Sequence, residues 1–367
     1  MPSAEQLMPW LQRIDNAKWY TNFGPLVQEF ESKLVKLLSP KKTIYLTTTS
    51  SGTTALELAL LALNIPKNHD ALVPAFTFPA TATAIKRVGL NPIFTDIDPH
   101  TWLLTPDIAR QVLKKISFDV VVPVATFGCP QPTESWDKFS EETGIPVLID
   151  AAAAFGNQPV GQRCIITFSF HATKPFGIGE GGLVVANSAE FIHQVKKLSN
   201  FGFDNGKIFK CGSNAKLSEY HAAVGLAQLE RWQQITENRQ KIWHTYQKYL
   251  HSENKIGWQH TPNHYIPASL PIKIPNKNKI LPTFIEHLTS LGIETRRWYY
   301  PPLTEHPAFK DSQWVAPDDS NELTVTETLS QCLLGLPFHI YLEEKQIAYV
   351  CSHLMEAVEN CLPTENK

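Results

Sequence analysis

Lys174 stands inside SFHATKPFGIGEGG, residues 169–182, between an apolar run and a chain of glycines. A lysine needs partial desolvation and a tight backbone around it to act as an amine nucleophile. Asp150 directly follows Val147, Leu148 and Ile149. An acid at the end of a buried strand needs a cation or several donors, although a helix cap or a loop ion pair would also account for it. Ser51, Gly52, Thr53 and Thr54 precede Leu56, Ala59, Leu60 and Leu63, whose i, i+3, i+4, i+7 spacing puts them on one buried helix face. The turn therefore sits at a helix start, where free N–H groups and the helix dipole favour an anion; the same residue types are ordinary helix caps. Phe78 fits core packing or a face for a planar ring. Ser169, five residues before Lys174, is a further donor to an anion, while His171 reads as a structural histidine.

These residues need elements to hold them. The β-rich runs TIYLT, ALVPAF, NPIFTDID, DVVVPVATFG, PVLIDAAAA, CIITFSFH and GGLVVAN alternate with helical stretches. That pattern predicts an α/β fold, a mainly parallel sheet covered on both faces, with the site at the carboxyl ends of its strands. From Ser218 a long helical pattern runs to about residue 250 and suits a bridge between domains. Beyond it PNHYIPASLPIKIPNKNKILP is proline-rich and strand-like, and LPTFIEHLTSLGI and EEKQIAYVCSHLMEAVENCL are amphipathic. The division expected is a large domain over 1–250 and a small α/β domain over 251–367.

The bulk properties narrow the partners. A chain of 367 residues exceeds one ordinary core, and 43% hydrophobic residues supply ample interior. A formal net charge of -2 without long basic runs argues against nucleic acid. The opening MPSAEQLMPWLQRIDNAKWY does not read as a signal peptide, and no segment reads as a membrane span, so a cytoplasmic protein is expected. Six scattered cysteines form no CxxC pair and have no histidines at metal-ligand spacing, so they read as reduced thiols and no metal is expected.

A lysine in a glycine-bounded loop, an acid, an anion site and a flat aromatic together match the needs of pyridoxal phosphate (PLP). Its aldehyde takes a lysine, its ring nitrogen an acid, its phosphate an anchor and its ring a surface. With NFGPLVQEFE, SGTTALELAL, PAFTFPATATAI, NPIFTDID, DAAAAFG, SFHATKPFGIGEGG, GSNAKLSEYHAAVGLAQL, YYPPL and LPFH in that order, nearly the whole chain resembles the DegT/DnrJ/EryC/StrS family of fold-type I, PLP-dependent sugar aminotransferases.

The resemblance implies that Lys174 is the Schiff-base lysine and proton carrier and that Asp150 keeps the ring nitrogen protonated. It places Phe78 against the ring and Gly52, Thr53, Thr54 and Ser169 around the phosphate. Asn214 would reach the phosphate of a second subunit, which implies a homodimer; taken alone it is also an ordinary turn residue. The implied activity is ping-pong transfer of an amino group, usually from glutamate, to a nucleotide-linked keto-sugar, through the PLP and pyridoxamine (PMP) forms. The product would serve a surface polysaccharide or a deoxyaminosugar. Two departures stand out: Ala153 where the family commonly has glutamine, and Thr304 where it often has histidine, with His306 two residues later. A dehydratase relative carrying histidine in place of Lys174 and a catalytically silent regulator are the competing readings.

Overall fold

A computed structural model describes residues 1–250, 255–275 and 281–361. Seven strands form the main body: β1 (Tyr45–Thr49), β2 (Asp70–Pro74), β3 (Asn91–Thr95), β4 (Val120–Val121), β5 (Leu148–Asp150), β6 (Ile165–Ser169) and β7 (Gly182–Ala186). Their order is β1-β7-β6-β5 and then β4-β2-β3, the two runs joined by parallel bridges Val121–Val147 and Val124–Asp150. Of these seven strands, β7 alone runs against its neighbours, so the sheet is mixed but mainly parallel, as the alternating pattern requires.

Alternate strand residues enter two different cores. Leu72, Ile149, Ile166, Leu183 and Val185 join one cluster with the long helix, and Ala71, Val73, Leu148, Ile165 and Val184 join the other with the Gly52–Ala62 helix. Both faces of the sheet are thus covered, which leaves the strand ends as the open part of the structure. The Gly52–Ala62 helix is itself buried almost all round: Ala55 and Leu58 are buried as fully as Leu56, Ala59 and Leu60, and Leu63 lies just past its end. The run DVVVPVATFG is strand only at Val120–Val121, because Pro123 lacks a ladder donor and Phe127 and Gly128 turn left-handed at φ 60° and 90°.

The long helix, Glu219–Leu250, starts with the Ser218 hydroxyl accepting the His221 N–H at 3.2 Å. Its first residue, Glu219, is buried, and its carboxylate accepts the N–H groups of Leu26 and Val27 at 2.8 and 2.9 Å. Those donors open the Pro25–Leu38 helix, whose cap Gly24 has no side chain to satisfy them. Its far end gives Ile242, Tyr246 and Leu250 to a third cluster, with an antiparallel sheet of Leu270–Lys273, Leu333–Leu336 and Arg296–Arg297 and helices Leu281–Ser290 and Glu344–Cys361. Residues 276–280 of the proline-rich stretch lie outside the described residues.

The C-terminal third also returns to the main body. Trp314–Val315 pairs in parallel with β3, and Leu303, Phe309 and Leu323 join the second core. The buried Asp96 carboxylate accepts the N–H groups of Val325 and Thr326 and the Thr326 hydroxyl at 2.7 to 2.8 Å, capping the Thr324–Cys332 helix. These bonds fix the far wall of the site relative to the sheet. Among the described residues no helix is long and apolar enough to cross a membrane, and no cluster of His, Cys, Asp and Glu could hold a metal ion.

Candidate active site

The carboxyl ends of β1, β2, β4, β5 and β6 open on a cavity of about 360 Å³. At its inner end the turn after β1 meets the end of β6. A Cβ on Gly52 would lie 2.6 Å from the Ser169 Cβ, and one on Gly182 would lie 2.2 Å from the Ser51 carbonyl oxygen. Only glycine permits approach this close. Ser51 caps the helix by accepting the Thr54 N–H at 3.1 Å, and the Ala55 N–H bonds the Ser51 carbonyl. The first-turn N–H groups of Gly52 and Thr53 have no place in the intrahelical ladder, so they stay available to an anion beside the Ser169 hydroxyl.

Asp150 ends β5 and is only 4% exposed. Burial pushes its carboxyl above the usual range; the Thr81 hydroxyl, the Ala152 N–H and the Lys174 charge work against that rise. No cation lies within ion-pair distance of Asp150 among the described residues, so its charge has hydrogen bonds but no counter-ion in direct contact. Lys174 is half-buried, its own N–H bonded to the His171 carbonyl in a tight turn. Burial lowers its ammonium pKa; Asp150 raises it and Arg296 lowers it further, and the balance favours the neutral amine relative to an ordinary lysine. Phe78 stands at the N-cap of the Pro79–Arg87 helix, is 52% exposed and lines the cavity.

Of the sequence-selected residues, Gly52, Thr53, Phe78, Asp150, Ser169 and Lys174 all line this one cavity. Thr54 and Asn214 do not. The Thr54 hydroxyl is engaged with Ser51, accepting its N–H at 3.0 Å and donating to its carbonyl at 2.8 Å, which makes Thr54 part of a capping box. Asn214 is exposed and forms an isolated bridge with Asn200, outside the cavity lining. His171, on the lining, shares a hydrogen bond with the Thr173 hydroxyl at 2.9 Å and stands 3.7 Å from Glu180.

The opposite wall carries groups less visible in the sequence. Phe127 stacks on Tyr299 with centroids 5.6 Å apart and planes 6° apart, and Trp298 and Phe76 pack edge-on to Tyr299. Arg296 lies over Trp298 at 4.3 Å and reaches the same cavity. Phe127 holds a left-handed conformation that a bulky residue avoids, maintained by Tyr265 and Ala268, which both donate to its carbonyl at 2.9 Å. The adjoining Gly128 is a local sign of a turn, but nothing in the neighbouring sequence signals the ring's role. Thr81 also went unselected, although its place three residues after Phe78 puts it on the first turn of the same helix. A roomier cleft of about 810 Å³ lies in the C-terminal part and shares Ser269, Arg296 and Trp298 with this site, but contains neither Lys174 nor Asp150.

The arrangement offers a lysine biased toward its neutral form, a buried carboxylate, a helix-start anion site and aromatic surfaces around one space. The chain is also similar to known proteins over nearly its whole length. A dTDP-4-amino-4,6-dideoxy-D-glucose transaminase of Shigella dysenteriae is 30% identical, covering 97% of this chain and 96% of its own. A Bacillus cereus protein described as a candidate PLP-dependent aminotransferase superposes with a TM-score of 0.89 at 30% identity, covering 96% of this chain and 97% of its own. The structure of DesI in the presence of its TDP-sugar product superposes with a TM-score of 0.86 at 29% identity, over 98% of this chain and 92% of that one. The fold is that of the type I PLP-dependent transferases. With the family model matching residues 3–355, the chain belongs to the DegT/DnrJ/EryC1/StrS aminotransferase family.

Proposed function

We propose that the protein is a PLP-dependent aminotransferase that moves an amino group from an amino acid, with glutamate the first donor to test, onto a nucleotide-linked keto-sugar. The observation that carries the reading is that Lys174 and Asp150 face one cavity whose inner end is the Gly52–Ser169 anion cradle. The residues fit the cofactor. The cradle is open to a phosphate because a Cβ on Gly52 would close it, and Asp150 is a buried acid without an ion-paired cation among the described residues. PLP supplies a carbonyl that condenses with amines and a ring that withdraws electrons when its nitrogen is protonated.

Around it the side chains divide the work. Gly52 and Thr53 N–H groups and the Ser169 hydroxyl hold the phosphate. Phe78 covers one ring face. Asp150, whose charged form the Thr81 hydroxyl and the Ala152 N–H favour, would keep the proton on the ring nitrogen. Lys174 would hold the cofactor through its amine, and the same amine, when free, would move a proton at the substrate's α-carbon. Burial favours that role, since the lowered pKa leaves more of the amine free to accept a proton.

The nucleotide-sugar class is supported by the named activity of the Shigella transaminase and the ligand of DesI, and by Arg296, Trp298 and Tyr299 on the outer wall. Those residues suit an anionic, hydroxyl-rich ligand with apolar ring faces. Surface polysaccharide or deoxyaminosugar synthesis is the pathway class that goes with it. We assign residues 1–250 as the cofactor domain and 251–367 as the small domain, with the segment around 303–326 folded back on the sheet. Asn214, exposed here, is assigned to the partner subunit's phosphate site in a homodimer. A cytoplasmic location suits the buried free thiols of Cys129, Cys164, Cys332 and Cys351.

The test is the visible absorption spectrum of purified protein before and after L-glutamate. A cofactor band that bleaches on addition supports an active aminotransferase. A band that glutamate and other amino acids leave unchanged favours a silent binder, and no band after reconstitution overturns the assignment.

A further inference from the structure

The Thr81 hydroxyl donates to Asp150 Oδ2 at 2.7 Å, and the Ala152 N–H donates to Oδ1 at 3.1 Å. Each carboxylate oxygen is thereby held by one donor while Asp150 still lines the cavity. Thr81 is 1% exposed and stands outside the cavity lining, so it touches what the cavity holds through Asp150 alone. Its oxygen lies 3.4 Å from the Thr77 hydroxyl, which is able to donate to it while Thr81 donates onward. Thr77 follows β2, and Thr81 lies on the first turn of the Pro79–Arg87 helix, immediately after Phe78. One short stretch, Thr77 to Thr81, therefore presents the exposed Phe78 ring to the cavity and grips the acid that ends β5.

Isolated, a carboxylate this deeply buried would turn to find donors or take up a proton. Both outcomes would spoil it as a partner for a cation in the cavity. A hydroxyl within hydrogen-bond distance fixes one rotamer and stabilises the charged form. We propose that Thr81 is a positioning residue that orients the Asp150 carboxylate toward the cofactor ring nitrogen and sets its register with Phe78. The inference rests on the PLP reading above and adds a residue whose only route to the cofactor is Asp150.

The experiment is a double-mutant cycle on cofactor affinity, measured by equilibrium dialysis of cofactor-free protein against PLP, with the position of the visible band as a second readout. Thr81→Val removes the hydroxyl at constant shape. It is expected to weaken PLP binding about tenfold, the scale of one hydrogen bond to a charged group, and to shift the band. Thr81→Ser should restore both. In an Asp150→Asn background, Thr81→Val should change the affinity little, because the group it serves is gone. Equal losses in both backgrounds, or unchanged affinity in Thr81→Val beside a wild type that binds PLP, would overturn the proposal. Thr81→Ala serves in the same cycle should the valine variant fail to fold. A wild type that does not bind PLP would overturn the functional reading and this inference with it.

Discussion

The two walls of the cavity were built in different ways. The inner wall, from Ser51 and Gly52 to Ser169, is made of strand ends joined to short local turns, each contained in a few consecutive residues. The outer wall of Arg296, Trp298 and Tyr299 belongs to a short edge strand and the segment after it, brought over the sheet by contacts spanning some two hundred residues. On the proposed function, the inner wall is the place for the cofactor. The outer wall contacts whatever approaches it. Of the two departures from the family pattern, Ala153 lines the cavity and Thr304 does not, while His306 is hydrogen-bonded to the Pro301 carbonyl oxygen at 3.2 Å. On that reading, binding of cofactor and choice of substrate should be separable by mutation.

The strongest separation comes from Lys174. Lys174→Ala should lower transamination by several orders of magnitude, the scale on which loss of a covalent nucleophile acts. It should retain PLP through the cradle and Asp150 but release it on denaturation after borohydride treatment, where the wild type keeps it. Retained turnover would break the inner wall's assignment outright.

Asp150→Asn should weaken cofactor binding by more than Thr81→Val does, to an affinity still measurable by dialysis, while making the cofactor-free protein more stable at neutral pH. Burial raises the Asp150 pKa in the folded state above its unfolded value, so the unfolded chain binds fewer protons between the two. The contribution of this group to stability therefore falls as pH rises through that window, and it is fully restored below the ordinary carboxylate range. Removing the charge should raise the melting midpoint of the cofactor-free form by a few degrees, seen by thermal denaturation at pH 7 and absent at acidic pH.

Gly52→Ala should sharpen the contrast next. The added Cβ would fall 2.6 Å from the Ser169 Cβ, which forces the helix start away from β6. Overpacking of this kind costs about 1–3 kcal/mol, and PLP affinity should drop about tenfold or more while nucleotide-sugar binding suffers only through the cofactor. Titration with PLP, and separately with nucleotide sugar, checks it.

The smallest effect belongs to the outer wall. Arg296→Gln should raise KM for one substrate by about tenfold with PLP affinity unchanged, as loss of uniform binding does. Single-turnover measurement of each half-reaction tells whether the guanidinium serves the amino donor or the nucleotide sugar. A loss of PLP affinity instead would erase the distinction between the walls.

Lys174, Asp150 and the Ser51–Thr54 turn were legible because each is set by neighbours in sequence: an apolar strand before the acid, glycines after the lysine, a periodic helix after the turn. The sequence also carried the alternation that makes the sheet mainly parallel. Thr54 shows the limit of that legibility, since the residue type that could meet a phosphate is the same type that closes a capping box. Thr81 shows the converse, a side chain that looks like any helix threonine until β5 brings Asp150 within 2.7 Å.

By itself, then, the chain determined the chemistry-bearing residues, their order and the kind of sheet that gathers them, because strand burial, caps and turns are decided over a few residues. The tertiary structure alone decided which donor holds Asp150, that Phe127 turns left-handed to meet Tyr299, and that Arg296 faces the same space as Lys174. Those relations join segments some 70 to 170 residues apart. Local propensity does not encode such distances; they follow from two cores and a long helix packing to exclude water from both faces of one sheet.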